Sequence, residues 1–467
     1  MLGPLVWSLL NTAATVLIPF GLFTVFARTG EAWQVGAVGI AISIAEIVKT
    51  LCPQGFYEVL LHRDIRREQD EAAFGFLLLS GGMAALAYLA VLGVTGHHLP
   101  DVRQILPALM LLAPKILFDV LAIQPQACAV RRGDAKLIAK RTIVSNSVAA
   151  AFGISFALAG KSLFGLVSYY LVQSVAGFAL MIWVAGAPVR PRLRWSPIRG
   201  LLKEAGYASG VRLVGAANSY ADTLVVAAFV APALVGAYNL AKRIETVLMS
   251  ASASFSAIMY QPAFATHDGA SRRVMIENAV TLTTLIIGLP TILFVVFNRD
   301  WIVWVFGARW IEAGPICALA ALSGLARTYG AIHGAILSVT GRNRALLVNA
   351  AGSAVTGLSL VAALAGHGLV WAAGAVAMKS IVFCLSSAVL TMPSFASTAR
   401  LYLRGAVLPL GAAAVAAAGL ERMIRLIGPL PEHWAAPLAI LLTVTLFAAC
   451  MAHQYRDALG RIRRRGR

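Results

Sequence analysis

A chain of 467 residues that is 59% hydrophobic and only 13% charged, with a mean hydropathy of +0.79, is too apolar for a soluble globular protein. Its scattered Gly and Pro exclude a collagen-like or low-complexity chain, and five Cys exclude a disulfide-rich scaffold. What remains is a polytopic membrane protein, for which a net charge of +19 is first a question of where the cations lie.

A hydrocarbon core about 30 Å thick takes about 20 apolar residues per helix. Runs of that length, bounded by charge, Pro, Gly or Trp, predict fourteen spans in an all-α protein. In chain order they fall at about 5–27, 34–55, 73–94, 104–127, 142–160, 163–185, 207–231, 235–260, 275–297, 314–338, 345–365, 369–391, 405–420 and 435–453. A transmembrane barrel would instead show segments of about ten residues with alternating polarity. No basic residue precedes Arg28 and the first run is too long for a signal h-region, so the first span is read as retained.

An even number of spans puts both termini on one side, and the basic residues choose it. Arg131, Arg132, Lys136, Lys140 and Arg141, then Arg190, Arg192, Arg194, Arg199 and Lys203, then the arginines from Arg456 to Arg467, all fall on the side read as cytoplasmic. Arg28 alone argues weakly for the reverse. Most of the positive charge is therefore an orientation signal that also favours contact with anionic inner-leaflet lipids, and nucleic acid is not implied. Trp7, Trp33, Trp183, Trp301, Trp304, Trp310, Trp371 and Trp434 fall at span ends, where their rings prefer to sit. Cys52, Cys128, Cys317, Cys384 and Cys450 are far apart and read as small packing residues; no metal-ligand spacing and no cofactor motif is present.

Residues 35–44, VGAVGIAISI, and 235–244, VGAYNLAKRI, match at an offset of 200. Each opens a span after a short outer turn, and each span leads to a cytoplasmic loop with His62-Arg63-Asp64 or Thr266-His267-Asp268. Six spans, a basic linker and six more spans suggest a parallel duplication, a plan used by transporters. The expected organisation is a first lobe at 1–185, a linker at 186–206, a second lobe at 207–391, two further spans within 392–453 and a basic tail at 454–467.

Eleven ionised residues fall inside the spans: Glu46, Lys49, Lys115, Asp119, Arg212, Asp222, Lys242, Arg243, Glu245, Arg327 and Lys379. Each costs roughly 2.5 to 3.5 kcal/mol at a helix centre on insertion scales, so they must pair, snorkel or line water. Glu46 with Lys49, Lys115 with Asp119, and Lys242 with Glu245 stand three or four residues apart and can neutralise each other on one helix face. Arg212, Gly215, Ser219 and Asp222 form a polar stripe at helical spacing, and Asn349, Ser353 and Thr356 form another. One reading is purely structural, with Arg212 and Arg243 snorkelling to an interface. The other starts from the excess of seven cations over four anions, which suits a positive, water-filled cavity for an anionic group. Asp222, Glu245, Asp119, Glu46 and Lys49 are candidates for ion coupling or structural pairing.

Gly160-Lys161-Ser162 resembles the end of a phosphate-binding loop, but Ser155 stands where that loop needs Gly. There is no nucleophile elbow or His-carboxylate cluster, and the outer loops are short, which disfavours a polymerase or ligase. Gly330 and Gly334 give a G-x-x-x-G that permits close helix packing.

The stretch NSYADTLVVAAFVAPALVGAYNLAKRIE, Asn218 to Glu245, with the turn at Gln261-Pro262, resembles the polysaccharide transporter (Wzx-type) flippases. That family belongs to the MOP superfamily, which also holds MATE exporters and MurJ-like lipid flippases. Asp222, Gly236, Tyr238, Lys242 and Arg243 match the family pattern, as do Gly307 to Trp310 and Gly341-Arg342. The chain departs from it after Asp222, where Gly-Arg is common and Ala227-Ala228-Phe229 stands. The resemblance implies two six-helix lobes around a cationic cavity, and alternating access that carries an undecaprenyl-diphosphate-linked oligosaccharide to the periplasmic leaflet of a bacterial inner membrane. It further implies no enzymatic step, and partners among polysaccharide polymerase and assembly proteins. Within it the diphosphate falls to some of Arg212, Lys242, Arg243, Arg327 and Lys115. The competing class is a MATE-like exporter of small cations coupled to protons or sodium, which would want an acidic cavity. A bare structural subunit leaves the duplicated plan unexplained.

Overall fold

The computed structural model describes residues 2–61, 65–98, 106–185, 190–255, 269–392, 394–427, 441 and 443–445. Among these the ordered elements are all helical. Among the described residues, eleven helices are long and apolar enough to cross a membrane, beginning with Leu10–Thr29 and ending with Ala396–Met423. They coincide with eleven of the expected spans. The expected spans at 207–231 and 235–260 are also helical, as Trp195–Ala216, Asp222–Ala227 and Pro232–Phe255, but their polar residues keep them out of that set. The last expected span, with Trp434, Cys450 and the basic tail, lies almost wholly outside the described residues, as do the loops with His62-Arg63-Asp64 and Thr266-His267-Asp268 and the turn at Gln261-Pro262.

Where the helices deviate, proline is the usual cause. The expected span at 104–127 is three pieces, Leu106–Met110, Ala113–Leu121 and Ile123–Arg131, with Pro114 and Pro125 just inside the second and third. A proline lacks the N–H that would bond the carbonyl four residues back, and its ring crowds that carbonyl. Two wide, π-type turns obey the same logic: Thr284–Gly288 precedes Pro290 and Leu403–Val407 precedes Pro409. The carbonyl stranded by Pro409 belongs to Gly405, and the Thr284 hydroxyl lies 2.7 Å from it. A third π turn, Ala217–Ala221, has no proline. There the Lys242 ammonium donates to the Ser219 carbonyl, so a side chain supplies what the helix ladder leaves unmade.

The chain forms two compact units, residues 1–243 with 350–376 and residues 244–349 with 377–467. The helices from Trp195 to Arg243 thus group with the first six spans. In the first unit Leu2–Thr29 packs on Ala135–Leu158, which packs on Ser162–Ala185. In the second, Leu289–Val296 packs on Gly314–Val339 and Leu408–Ile427 around Phe297, Ile332 and Ala388. That core also holds a charge-free polar chain. His333, fully buried, has Nδ1 2.6 Å from Thr391 Oγ1 and Nε2 2.7 Å from the Tyr402 hydroxyl. Cys52, Cys128, Cys317 and Cys384 are buried free thiols, as packing residues should be.

The two matched stretches face each other inside the first unit. A Cβ on Gly36 would lie 1.8 Å from the Pro232 carbonyl oxygen and 2.8 Å from the Gly236 nitrogen, and one on Gly236 would lie 2.2 Å from the Ala32 carbonyl oxygen. One turn further on, a Cβ on Gly39 would meet the Asn239 amide at 1.8 Å. The backbones touch there, and only glycine leaves room at 36 and 236.

Candidate functional site

Ionised groups inside an apolar bundle show what the bundle is built to hold, so each predicted charge is followed to its partner. On Ala32–Lys49, Glu46 and Lys49 share a face; on Ala113–Leu121, Lys115 and Asp119 share another. The two pairs merge. Lys115 lies 2.7 Å from Glu46 and 2.6 Å from Asp119, while Lys49 lies 2.5 Å from Glu46 and 3.2 Å from Asp119. Two cations and two anions therefore close a square that needs nothing from outside. Ser174 adds a hydrogen bond to Asp119.

Asp222, only 2% exposed, is the hub of a second cluster. Its Oδ1 accepts from the Thr223 backbone N–H at 2.8 Å and from the Lys242 ammonium at 2.6 Å, and its Oδ2 accepts from the Tyr238 hydroxyl at 2.9 Å. The Lys242 ammonium is further held by the Ser219 carbonyl and, at 3.2 Å, by the Thr223 hydroxyl. Asp222, Tyr238 and Lys242, which carried the family resemblance, are thus one buried ionic lock around the π turn.

The expected pairing of Lys242 with Glu245 is not formed. Lys242 turns to Asp222, and Glu245 accepts from Arg327 at 2.9 Å and from Ser323 at 2.9 Å within the second unit. Being three residues apart permits a pair, but a helix-mate loses to a partner from another helix that arrives with further hydrogen bonds. Arg212 finds Glu58 at 2.6 Å and stacks over Tyr57 at 5.4 Å, with both charged side chains about two-fifths exposed. The polar stripe from Arg212 to Asp222 is interrupted by the π turn, and its two ends serve different partners.

Arg243 differs from all of these. It is partly exposed, and no carboxylate lies within ion-pair distance of it among the described residues. Its Nη2 donates to the Tyr170 hydroxyl, and its guanidinium sits 5.3 Å from the Phe23 ring centre and 6.0 Å from that of Tyr170. Tyr169 meets Tyr170 edge-on at 5.1 Å, and Tyr169 and Tyr220 both lie within the electrostatic reach of Arg243. At about 1.5 Å per residue, Arg243 is roughly 16 Å along the helix from Pro232, near the middle of that helix. Arg141, read from the sequence as a loop cation, lies inside Ala135–Leu158 with its Nε buried and without a hydrogen-bond partner, close to Gly177.

Of the five cations singled out from sequence, Lys115, Arg212, Lys242 and Arg327 have carboxylate partners, and Arg243 has aromatic ones. Phe23, Tyr170, Glu58 and Arg141 escaped sequence reasoning. An aromatic gives no signal in an apolar span, and nothing marks Glu58 as the partner of an arginine 154 positions away.

Among the described residues, eleven helices able to span a membrane and several buried ionic locks define a polytopic helical membrane protein. Residues 25–315, well over half of the chain, match the model of the family described as "Polysaccharide biosynthesis protein". The chain belongs to that family, in keeping with the Wzx-type resemblance read from Asn218–Glu245. It is 23% identical over 350 residues to the lipopolysaccharide biosynthesis protein WzxC of Escherichia coli K12, covering 72% of this chain and 69% of that one. It is 22% identical over 395 residues to the teichuronic acid biosynthesis protein TuaB of Bacillus subtilis 168, covering 80% and 79%. The fold matches the lipid II flippase MurJ in an inward closed conformation with a TM-score of 0.70 at 13% identity, covering 97% and 99% of the two chains. It also matches an inward-facing multidrug MATE transporter with a TM-score of 0.58 at 12% identity, covering 85% and 95%.

Proposed function

We propose that this protein is a flippase that moves an undecaprenyl-diphosphate-linked oligosaccharide from the cytoplasmic to the periplasmic leaflet of a bacterial inner membrane. The cargo is the repeat unit of an O-antigen, capsule or exopolysaccharide, and no covalent bond is made or broken. The observation that carries the reading is Arg243: a partly exposed arginine midway along its helix, with no carboxylate to neutralise it among the described residues, invites an anion. Access to the site alternates between the two sides of the membrane, with both termini cytoplasmic and basic loops against anionic lipid.

An inside-negative potential favours outward movement of an anionic cargo by about 2.3 kcal/mol per charge per 100 mV, so export needs no further chemical step. Family membership and two relatives named for lipopolysaccharide and teichuronic acid biosynthesis support a glycan cargo. A cation exporter of MATE type has the same fold, but an accessible arginine repels its substrates. The test is transfer of a defined undecaprenyl-diphosphate oligosaccharide across the bilayer of vesicles holding the purified protein. Transfer that rises with an imposed potential is expected, and a rate equal to that of protein-free vesicles ends the proposal.

A further inference from the structure

We propose that the Arg243 site reads an acidic sugar of the cargo, so that the oligosaccharide carries a carboxylated ring such as a uronic acid. This rests on the flippase reading above and names the substrate class within it.

Both the diphosphate and a sugar carboxylate offer anionic oxygens to a guanidinium, and the surroundings of Arg243 discriminate between them by charge. A diphosphate joining lipid to sugar carries two negative charges. The three lysines of the two ionic clusters are already matched and do not help to meet them. Lys242 has its three ammonium protons matched by Asp222 Oδ1, the Thr223 hydroxyl and the Ser219 carbonyl. Lys115 and Lys49 each lie between the two carboxylates of the buried square. Arg243 thus presents one charge with no carboxylate partner among the described residues, which a single carboxylate matches, and a planar guanidinium takes a carboxylate through two parallel hydrogen bonds.

The walls fit a sugar ring. Tyr170 and Tyr220 are partly exposed and carry both an apolar face, suited to the C–H face of a pyranose, and a hydroxyl. The Tyr170 hydroxyl accepts from Arg243, so its own proton is left for a sugar oxygen. Phe23, 5% exposed, lies 5.3 Å from the guanidinium and takes none of its donors.

The test uses vesicles with no membrane potential, since a potential would itself act on the extra charge. Two synthetic cargoes are compared, undecaprenyl-diphosphate disaccharides that differ only in a distal glucuronate or glucose. The wild type should move the glucuronate cargo about tenfold faster at low cargo concentration, the scale of one charge-assisted hydrogen-bonded contact. In R243Q that ratio should fall to about one, and R243K, which keeps the charge but not the fork, should fall between. Y170F should raise the KM for the glucuronate cargo more than that for the glucose cargo, and it serves as the independent variant if R243Q folds poorly. Equal wild-type rates for the two cargoes overturn the proposal and leave the flippase reading intact. So does an R243Q protein that slows both cargoes by one factor, because Arg243 then serves the shared diphosphate. Failure of the wild type to move either cargo overturns both.

Discussion

Lys242 and Arg243 are consecutive residues on one helix, and their surroundings have little in common. Lys242 points into the Asp222, Tyr238, Thr223 and Ser219 cluster, where every donor is matched. Arg243, turned about 100° around the axis, points at two aromatic rings and one hydroxyl. The difference teaches that charge in a membrane helix is sorted by face rather than by position. A point-charge ammonium suits a closed lock, whereas a guanidinium tolerates aromatic faces and keeps donors for a visitor.

Removing the lock's anion should have the largest effect. Asp222→Ala strands the Lys242 ammonium and should destabilise the protein by about 3 to 5 kcal/mol, read as a lowered unfolding midpoint in detergent; adding Lys242→Met should recover much of it. Lys115→Met leaves two carboxylates sharing Lys49 and should cost somewhat less, near the lower end of that range by the same measurement. Arg243→Gln should lower stability by only about 1 kcal/mol, the scale of its ring contacts, so a loss near that of Asp222→Ala would make Arg243 a second lock and erase the contrast. Arg212→Ala, at an ion pair half open to solvent, should shift stability by less than about 1 kcal/mol and should do so less at high salt.

The helices were legible because a bilayer demands length and apolarity in a continuous run, and eleven expected spans have their helices. The breaks were legible in principle, since Pro114, Pro125, Pro290 and Pro409 each mark one. Partners were less so. Spacing could join Glu46 to Lys49 and Lys115 to Asp119 but not one pair to the other, because the link runs through space between residues some 70 positions apart. It wrongly offered Glu245 to Lys242, since helical periodicity is blind to Asp222 on a neighbouring helix. That Arg243 differs from the other cations was invisible for the same reason: its distinction lies in which rings surround it.

The seam at Gly36 and Gly236 bears on how the two matched stretches are to be understood. Where two backbones meet with no side chain between them, each stretch is the other's spatial constraint, and the need for smallness falls on both alike. Their likeness at Gly36 and Gly236 is therefore what a single contact asks of its two sides, whatever their ancestry. Such a seam is set by backbone against backbone at 36 and 236, so its register leaves no room for adjustment there. Any bulkier residue at 36 or 236 would hold it ajar.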